Sequence, residues 1–348
     1  MNMDMNNCYI VAEAGVNHNG SHELALELVD IAADAGANAI KFQTFKADEL
    51  VRKGAKKAAY QKRETGDGDQ YSMLKKLEMS EDLHLALIER CEFRKIEFMS
   101  TAFDMESLDF LLDHGMKRIK IPSGEITNHP FIRYIASKNI PIIMSTGMST
   151  MNEIIEAKLV IENERNNYGF TGALESILTI LHCTSNYPAA PEDVNLKAMH
   201  TISDVTGMPI GYSDHTLGTA VSIGAVAMGA VIIEKHFTKS RELSGPDHRT
   251  SLEPDELRKL VDNIRTIIKA LGSSKKTPTE SELPIRELVR RSVTVNKNIK
   301  SGHIITQDDI TLKRPGTGIL PKSFDEVIGR QTIGDLSTGD TLNWLDLK

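Results

Sequence analysis

Eight short apolar runs, each followed by a segment of helical periodicity, occupy most of this sequence. The runs are Tyr9–Ala14, Ala39–Gln43, Glu97–Thr101, Arg118–Pro122, Pro141–Ser145, Ser176–His182, Pro209–Ser213 and Val231–Glu234. Most are continuous rather than alternating, which is the pattern of strands buried on both faces of a parallel sheet. Amphipathic helices lie between them. From Ser21 to Gly36, Ser21 is a capping residue, Leu24, Leu28, Ile31 and Ala35 form one stripe, and Gly36 is a stop. Asn152–Glu164 and Pro254–Leu271 read the same way. Eight strand–helix units match a (β/α)8 TIM barrel, an α/β fold of about 250 residues. An open doubly wound sheet is the competitor. The count of eight favours the barrel. The first turn, Glu13-Ala14-Gly15-Val16-Asn17-His18-Asn19-Gly20, is not a GxGxxG loop, and no Walker loop occurs.

This assigns residues 1–272 to the barrel. Ser273–Pro284 is polar and aperiodic and reads as a linker. Residues 285–348 show short β runs such as Ser292–Val295, with turns at Lys300-Ser301-Gly302 and Arg314-Pro315-Gly316, so a small β-rich domain is expected. The 41 basic and 48 acidic residues give a net charge of −7, which argues against a nucleic-acid binder and leaves a small anionic ligand open. Cys8, Cys91 and Cys183 are widely spaced and form no CxxC pair, so a reducing cytoplasm is expected rather than a disulfide scaffold. Met1–Cys8 is polar, without a signal-peptide pattern. Gly218–Ile233 is shorter than the ~20 apolar residues of a membrane span and reads as a buried helix followed by a strand.

Catalytic groups of such barrels lie at the C-terminal ends of the strands and in the loops beyond. Polar residues gather there in this sequence. They include Glu13, Lys41 and Gln43, Ser100-Thr101, Lys120 with Ser123-Gly124-Glu125, Ser145-Thr146-Gly147, His182, Ser213-Asp214-His215, and Glu234 with His236. Lys41 and Lys120 suit an anion clamp, and the small hydroxyls and glycines suit phosphate oxygens. A strand lysine also suits a Schiff-base aldolase. His215 and His236, on adjacent strands, suit a shared divalent metal with positions left for water and substrate. Each histidine taken singly is equally an ordinary hydrogen-bonded residue. His22 and His84 read as helix-surface residues and His182 as core. Glu13 and Glu125 are carboxylates fit to orient water or take a proton, or simply to pair with a lysine.

The runs AEAGVNHNG (Ala12–Gly20), KFQTFKA (Lys41–Ala47), KIPSGE (Lys120–Glu125), STGM (Ser145–Met148), LHCTSNYP (Leu181–Pro188), GYSDHT (Gly211–Thr216), EKHFT (Glu234–Thr238), SGPDH (Ser244–His248) and KRPGTGI (Lys313–Ile319) resemble, in order, the sialic acid synthase family. The tail resembles the antifreeze-like (SAF) domain that ends these enzymes. The resemblance implies condensation of phosphoenolpyruvate with an open-chain N-acylated amino sugar. C3 of phosphoenolpyruvate attacks the aldehyde, water adds at C2, and phosphate leaves with C–O cleavage. It also implies a divalent metal, Mn2+ or Mg2+, on His215 and His236. Lys41, Thr101, Lys120, Ser123, Ser145 and Ser213 are implied around phosphoenolpyruvate, and Glu13 and Glu125 near the reacting carbons. Gln43, Tyr187 and Asp247 are implied near the sugar or the water. Ser185 or Asn186 fills a phosphate-contacting position, because this chain has serine two residues before Tyr187 where some relatives have asparagine. Arg314 is implied to reach the mouth of a partner subunit in a domain-swapped homodimer. The acceptor is N-acetylmannosamine, giving N-acetylneuraminate, or 2,4-diacetamido-2,4,6-trideoxymannose, giving diacetyllegionaminate. Residues 44–79, with Arg52, Lys53, Lys56, Lys57, Lys62 and Arg63, read as a basic lid or a solvated face. A non-catalytic sugar-binding protein is the remaining alternative.

Overall fold

The computed structural model describes residues 8–348; the polar N-terminal stretch read above lies, up to residue 7, outside them. Eight parallel strands form the first unit: β1 (Tyr9–Gly15), β2 (Ala39–Thr44), β3 (Glu97–Ala102), β4 (Ile119–Ile121), β5 (Ile142–Ser145), β6 (Leu178–Cys183), β7 (Ile210–Asp214) and β8 (Ile232–His236). They hydrogen-bond in the order β3-β2-β1-β8-β7-β6-β5-β4. That order is a ring with one seam, where β3 and β4 pack together without a ladder.

One main helix follows each strand: α1 (His22–Asp34), α2 (Glu81–Arg94), α3 (Met105–Asp113), α4 (His129–Ala136), α5 (Met151–Asn167), α6 (Ala198–Thr206), α7 (Ala220–Ala227) and α8 (Pro254–Leu271). Local chemistry starts several of them. Ser21, Ser80, Asp104, Asn128 and Thr150 each accept a hydrogen bond from the backbone N–H three residues on. Each such cap contributes about 1 kcal/mol. Gly36, left-handed at φ +79°, follows α1.

Strand periodicity divides the core in two. Ile10, Ala12, Ile40, Phe42, Ile121, Met144, Ile180 and Ile233 face outward and pack with Leu28, Leu83, Leu108, Ile132, Ile154 and Leu257 of the helices. Val11, Ala39, Met99, Ile143, Leu181 and Ile232 face inward and fill the barrel. At its N-terminal end, Tyr9 Oη donates to Glu97 Oε2 (2.7 Å) and the Arg118 guanidinium lies 4.7 Å from the Tyr9 ring centroid. Arg118 Nε is 2.9 Å from Glu97 Oε1. Polar groups are therefore stacked above an apolar plug.

His84 differs from its surface assignment. It is buried, with Nε2 2.8 Å from Thr44 Oγ1 and Nδ1 2.8 Å from the Ser80 carbonyl oxygen. It shares the inner face of α2 with Leu87 and Cys91, three and seven residues on. Both ring nitrogens find partners there, which makes burial tolerable.

The second unit, Ser273–Lys348, has its own core of Val293, Val295, Ile299, Ile305, Ile310, Ile319, Val327, Leu342 and Leu347. Strands β9 (Ser292–Val295) and β10 (Ile310–Lys313) pair antiparallel, with Val295 opposite Ile310. Helix α9 (Glu282–Val289) begins inside the segment read as linker and buries none of its residues. No helix among the described residues is long and apolar enough to cross a membrane.

Candidate active site

The alternation that sends Val11 inward sends Glu13 inward two residues later. Carried around the ring, it turns Lys41, Gln43, Thr101, Lys120, Ser145, Cys183, Ser213, His215, Glu234 and His236 into the C-terminal mouth. All of them line one cavity of about 310 Å³, with Ser123, Ser185 and Tyr187 from the loops.

Four charges form an alternating chain across its floor. Lys41 Nζ lies 2.7 Å from Glu13 Oε2 and 3.6 Å from Glu234 Oε2; Lys120 Nζ lies 3.1 Å from Glu234 Oε1. Ser213 Oγ also donates to Glu234 (3.0 Å), and Lys41 donates to Thr101 Oγ1 (3.1 Å). All four charged residues are buried. Burial pushes the Glu13 carboxyl up to about 7 against the pull of Lys41. Burial works the same way on Glu234, but Lys120 and Lys41 outweigh it and hold that carboxyl well below its ordinary range. Lys41 stays above its ordinary value because Glu13 and Glu234 overcome burial, whereas burial wins at Lys120 and lowers it. Two ammoniums, a ring of hydroxyls and one easily protonated carboxyl make a receptor for a small multiply charged anion.

Backbone geometry brings the hydroxyls close. A Cβ on Gly147 would stand 2.3 Å from Ser185 Oγ and 2.4 Å from Ser123 Cβ, so only glycine lets those two loops meet. Ser185 lines the cavity. Asn186 does not; its Oδ1 accepts from the Tyr187 N–H instead (3.1 Å).

The two histidine rings are 5.6 Å apart between centroids. His215 Nδ1 lies 2.7 Å from the Thr184 carbonyl oxygen, which leaves Nε2 for the mouth. His236 Nδ1 is buried without a hydrogen-bond partner. Burial and then His215 keep the His236 imidazole well below its ordinary value, hence neutral. A pair of facing imidazoles, one with its outer nitrogen tied to a carbonyl and one with an orphaned nitrogen, fits a divalent metal. Among the described residues no third His, Cys, Asp or Glu joins them as a ready-made cluster, so water and substrate oxygens would complete the coordination.

Three sequence-selected residues stand apart. Glu125 does not line the cavity; its Oε2 accepts from Asn128 Nδ2 (2.7 Å). Asp247 is buried without lining the cavity, and burial lifts its carboxyl to about 6 against His215. Arg314 belongs to the second unit. Conversely, Glu234 had no assigned role although it ties both lysines together. Tyr60, from the 44–79 segment, also lines the cavity and stacks on Tyr187 at 5.1 Å. Tyr187 in turn packs against the His215 ring, tilted by 34° at 4.1 Å between centroids. An aromatic residue inside a basic, polar stretch was the available signal for Tyr60.

Residues 28–276 match the NeuB family, and residues 290–348 match the SAF domain. The chain is 51% identical to N,N'-diacetyllegionaminic acid synthase of Legionella pneumophila, over 97% of its own length and 94% of that protein. It is 46% identical to the N,N'-diacetyllegionaminic acid synthase of Campylobacter jejuni, over 94% and 96% of the two chains. The crystal structure of an N-acetylneuraminic acid (sialic acid) synthetase from Leptospira borgpetersenii superposes with a TM-score of 0.70 at 37% identity, covering 81% of this chain and 90% of that one. With the family model matching residues 28–276 and relatives at 51% and 46% identity over almost the whole chain, the chain belongs to the NeuB family.

Proposed function

We propose that this protein condenses phosphoenolpyruvate with 2,4-diacetamido-2,4,6-trideoxymannose, giving N,N'-diacetyllegionaminate and inorganic phosphate. The observation that carries the reaction is the single cavity in which Lys41, Lys120 and the hydroxyls of Thr101, Ser123, Ser145 and Ser213 share a mouth with His215 and His236. The choice of sugar rests on the higher identity to the two legionaminic acid synthases (51% and 46%) than to the sialic acid synthetase (37%).

In this reading Lys41 and Lys120 hold the phosphate and carboxylate of phosphoenolpyruvate, with Ser185 or Asn186 completing the shell; its place on the cavity wall favours Ser185. Paired carboxylates keep Lys41 protonated, which suits an anion holder and disfavours a Schiff-base nucleophile. Glu13, lifted toward neutrality by burial, exchanges protons with the water that adds at C2 and with the new hydroxyl, and the buried Asp247 acts on the site from outside the cavity through its charge on His215. Glu125, bonded to Asn128 outside the cavity, takes no step in this reading, and Gln43 and Tyr187 orient the sugar. His215 and His236 would hold the divalent metal, which when bound polarises an aldehyde and orients water. The metal in this reading is Mn2+ or Mg2+, with water and substrate oxygens completing the two imidazole donors.

The active molecule in this proposal is a homodimer in which Arg314 of the partner subunit completes the sugar site. The exposed apolar side chains of α9, Leu283, Ile285, Leu288 and Val289, support a second copy. Three free cysteines support a cytoplasmic location.

The test is phosphate release from phosphoenolpyruvate with Mn2+ and each sugar in turn. Release with the diacetamido sugar, at a kcat/KM at least about tenfold above that for N-acetylmannosamine, is expected. The reverse preference would overturn the sugar assignment. Sugar binding without phosphate release from any acceptor would overturn the reaction in favour of a binding protein.

A further inference from the structure

Asp214 and Lys235 stand directly opposite one another in the β7–β8 ladder, on the outer faces of their strands. Each is 1% exposed. Lys235 Nζ lies 3.0 Å from Asp214 Oδ2, and Ser222 Oγ of α7 donates to the same oxygen (2.5 Å). Asp214 Oδ1 accepts from both the N–H and the Oγ of Thr216, each at 2.8 Å. Lys235 also donates to the Thr216 carbonyl oxygen. The pair thus ties the end of β7, the loop after it, α7 and β8 into one knot. Neither residue reaches the cavity.

A buried ion pair is a weak stabiliser, and apolar residues of similar size often replace one without loss. Stability alone therefore does not account for it. Its best-attested physical use is to select a register. Here register decides chemistry, because side chains alternate faces. Asp214 is flanked by Ser213 and His215, and Lys235 by Glu234 and His236, and all four neighbours line the cavity. A slip of one residue would set Asp214 against Glu234 or His236 and disengage the imidazole pair.

We propose that Asp214 and Lys235 are positioning residues for the metal, locking β7 against β8 in the register that faces the His215 and His236 rings across 5.6 Å. Thr216, bonded by both partners, anchors the backbone immediately after His215. This inference rests on the reading of the two histidines as metal ligands.

The experiment is calorimetric titration of Mn2+ into the chelator-treated full chain, comparing wild type, Asp214→Asn/Lys235→Met and Ser222→Ala. The double variant removes both charges yet keeps a side-chain oxygen for the two Thr216 donors, so the melting temperature is expected to stay close to wild type. Mn2+ affinity is expected to fall about 10- to 100-fold, and by a smaller factor in Ser222→Ala. A folded double variant that binds Mn2+ within about threefold of wild type would overturn the proposal. Should the double variant not fold, Ser222→Ala decides: weakened Mn2+ binding supports the knot and unchanged binding refutes it. Wild-type protein that takes up no Mn2+ would instead overturn the ligand assignment of the histidines, and this inference with it.

Discussion

A buried carboxylate survives only where donors surround it, and two residues here show that rule at different addresses. Glu234 is enclosed by Lys41, Lys120 and Ser213 in the barrel mouth. Asp309, in the second unit, accepts from the Thr306 N–H (2.6 Å) and Oγ1 (2.8 Å), pairs with Lys297 (2.7 Å) and meets His303 Nε2 at 2.9 Å. Burial alone would raise the Asp309 carboxyl, but Lys297, His303 and Thr306 together hold it well below its ordinary range. A carboxyl lowered on folding contributes stability that is complete above its unfolded value, about 4. That contribution fades as pH falls from there toward the folded value. Urea unfolding of the full chain should therefore show Asp309→Ala costing the second unit about 3 kcal/mol at pH 7. The difference from wild type should shrink below about pH 4. An undiminished difference at pH 3 would count against this account.

At the scale of elements, the loops after the strands bring groups to the mouth that strand periodicity does not. The 44–79 segment folds as three short helices, Ala47–Leu50, Ala59–Thr65 and Gln70–Lys75. Its basic residues do not line the cavity; Tyr60 does. Lys62, read as part of a basic lid, pairs with Asp67 (3.3 Å), and Lys57 donates to Thr65 (2.9 Å). Lys57 and Lys62 are thus satisfied within the segment, and its aromatic ring lines the cavity. Stacked aromatic pairs contribute about 0.5–1.5 kcal/mol beyond their buried area, and 1.4 kcal/mol is a factor of ten in affinity. Tyr60→Ala is accordingly expected to raise KM for the sugar up to about tenfold. KM for phosphoenolpyruvate should stay within about twofold, because the lysines lie on strands. Steady-state kinetics with each substrate varied in turn checks this, and an effect confined to phosphoenolpyruvate would reverse the assignment.

At the scale of the molecule, two separately cored units share one chain. Helix α9 carries Leu283, Ile285, Leu288 and Val289 at 45–67% exposure, a stripe that a single copy leaves in water. Sedimentation of the wild-type chain is expected to give a dimer, and Ile285→Asp/Leu288→Asp a monomer that has lost most of its sugar turnover. A dimer that survives both charges would place the interface elsewhere.

Much of this was open to reading without coordinates. Eight apolar runs lie within one or two residues of eight strands because continuous hydrophobicity is what a strand buried on both faces requires. Polar residues at their ends marked the mouth, since a side chain two positions beyond an inward apolar one must also point inward. Local chemistry was legible too: Ser21 caps α1 as its position suggested. What the chain alone did not disclose depends on distances between residues far apart in sequence. Glu234 looked like one more strand-end charge until β2, β4 and β7 supplied its partners. His84 looked exposed until Thr44, 40 residues away, gave it a hydrogen bond. Asp214 looked like one more polar group at the mouth and Lys235 was passed over, until the β7–β8 register set them face to face outside the cavity. Periodicity is a property of neighbours along the chain and survives in one dimension. Pairing energies belong to neighbours in space, and only the closed barrel decided who those neighbours are.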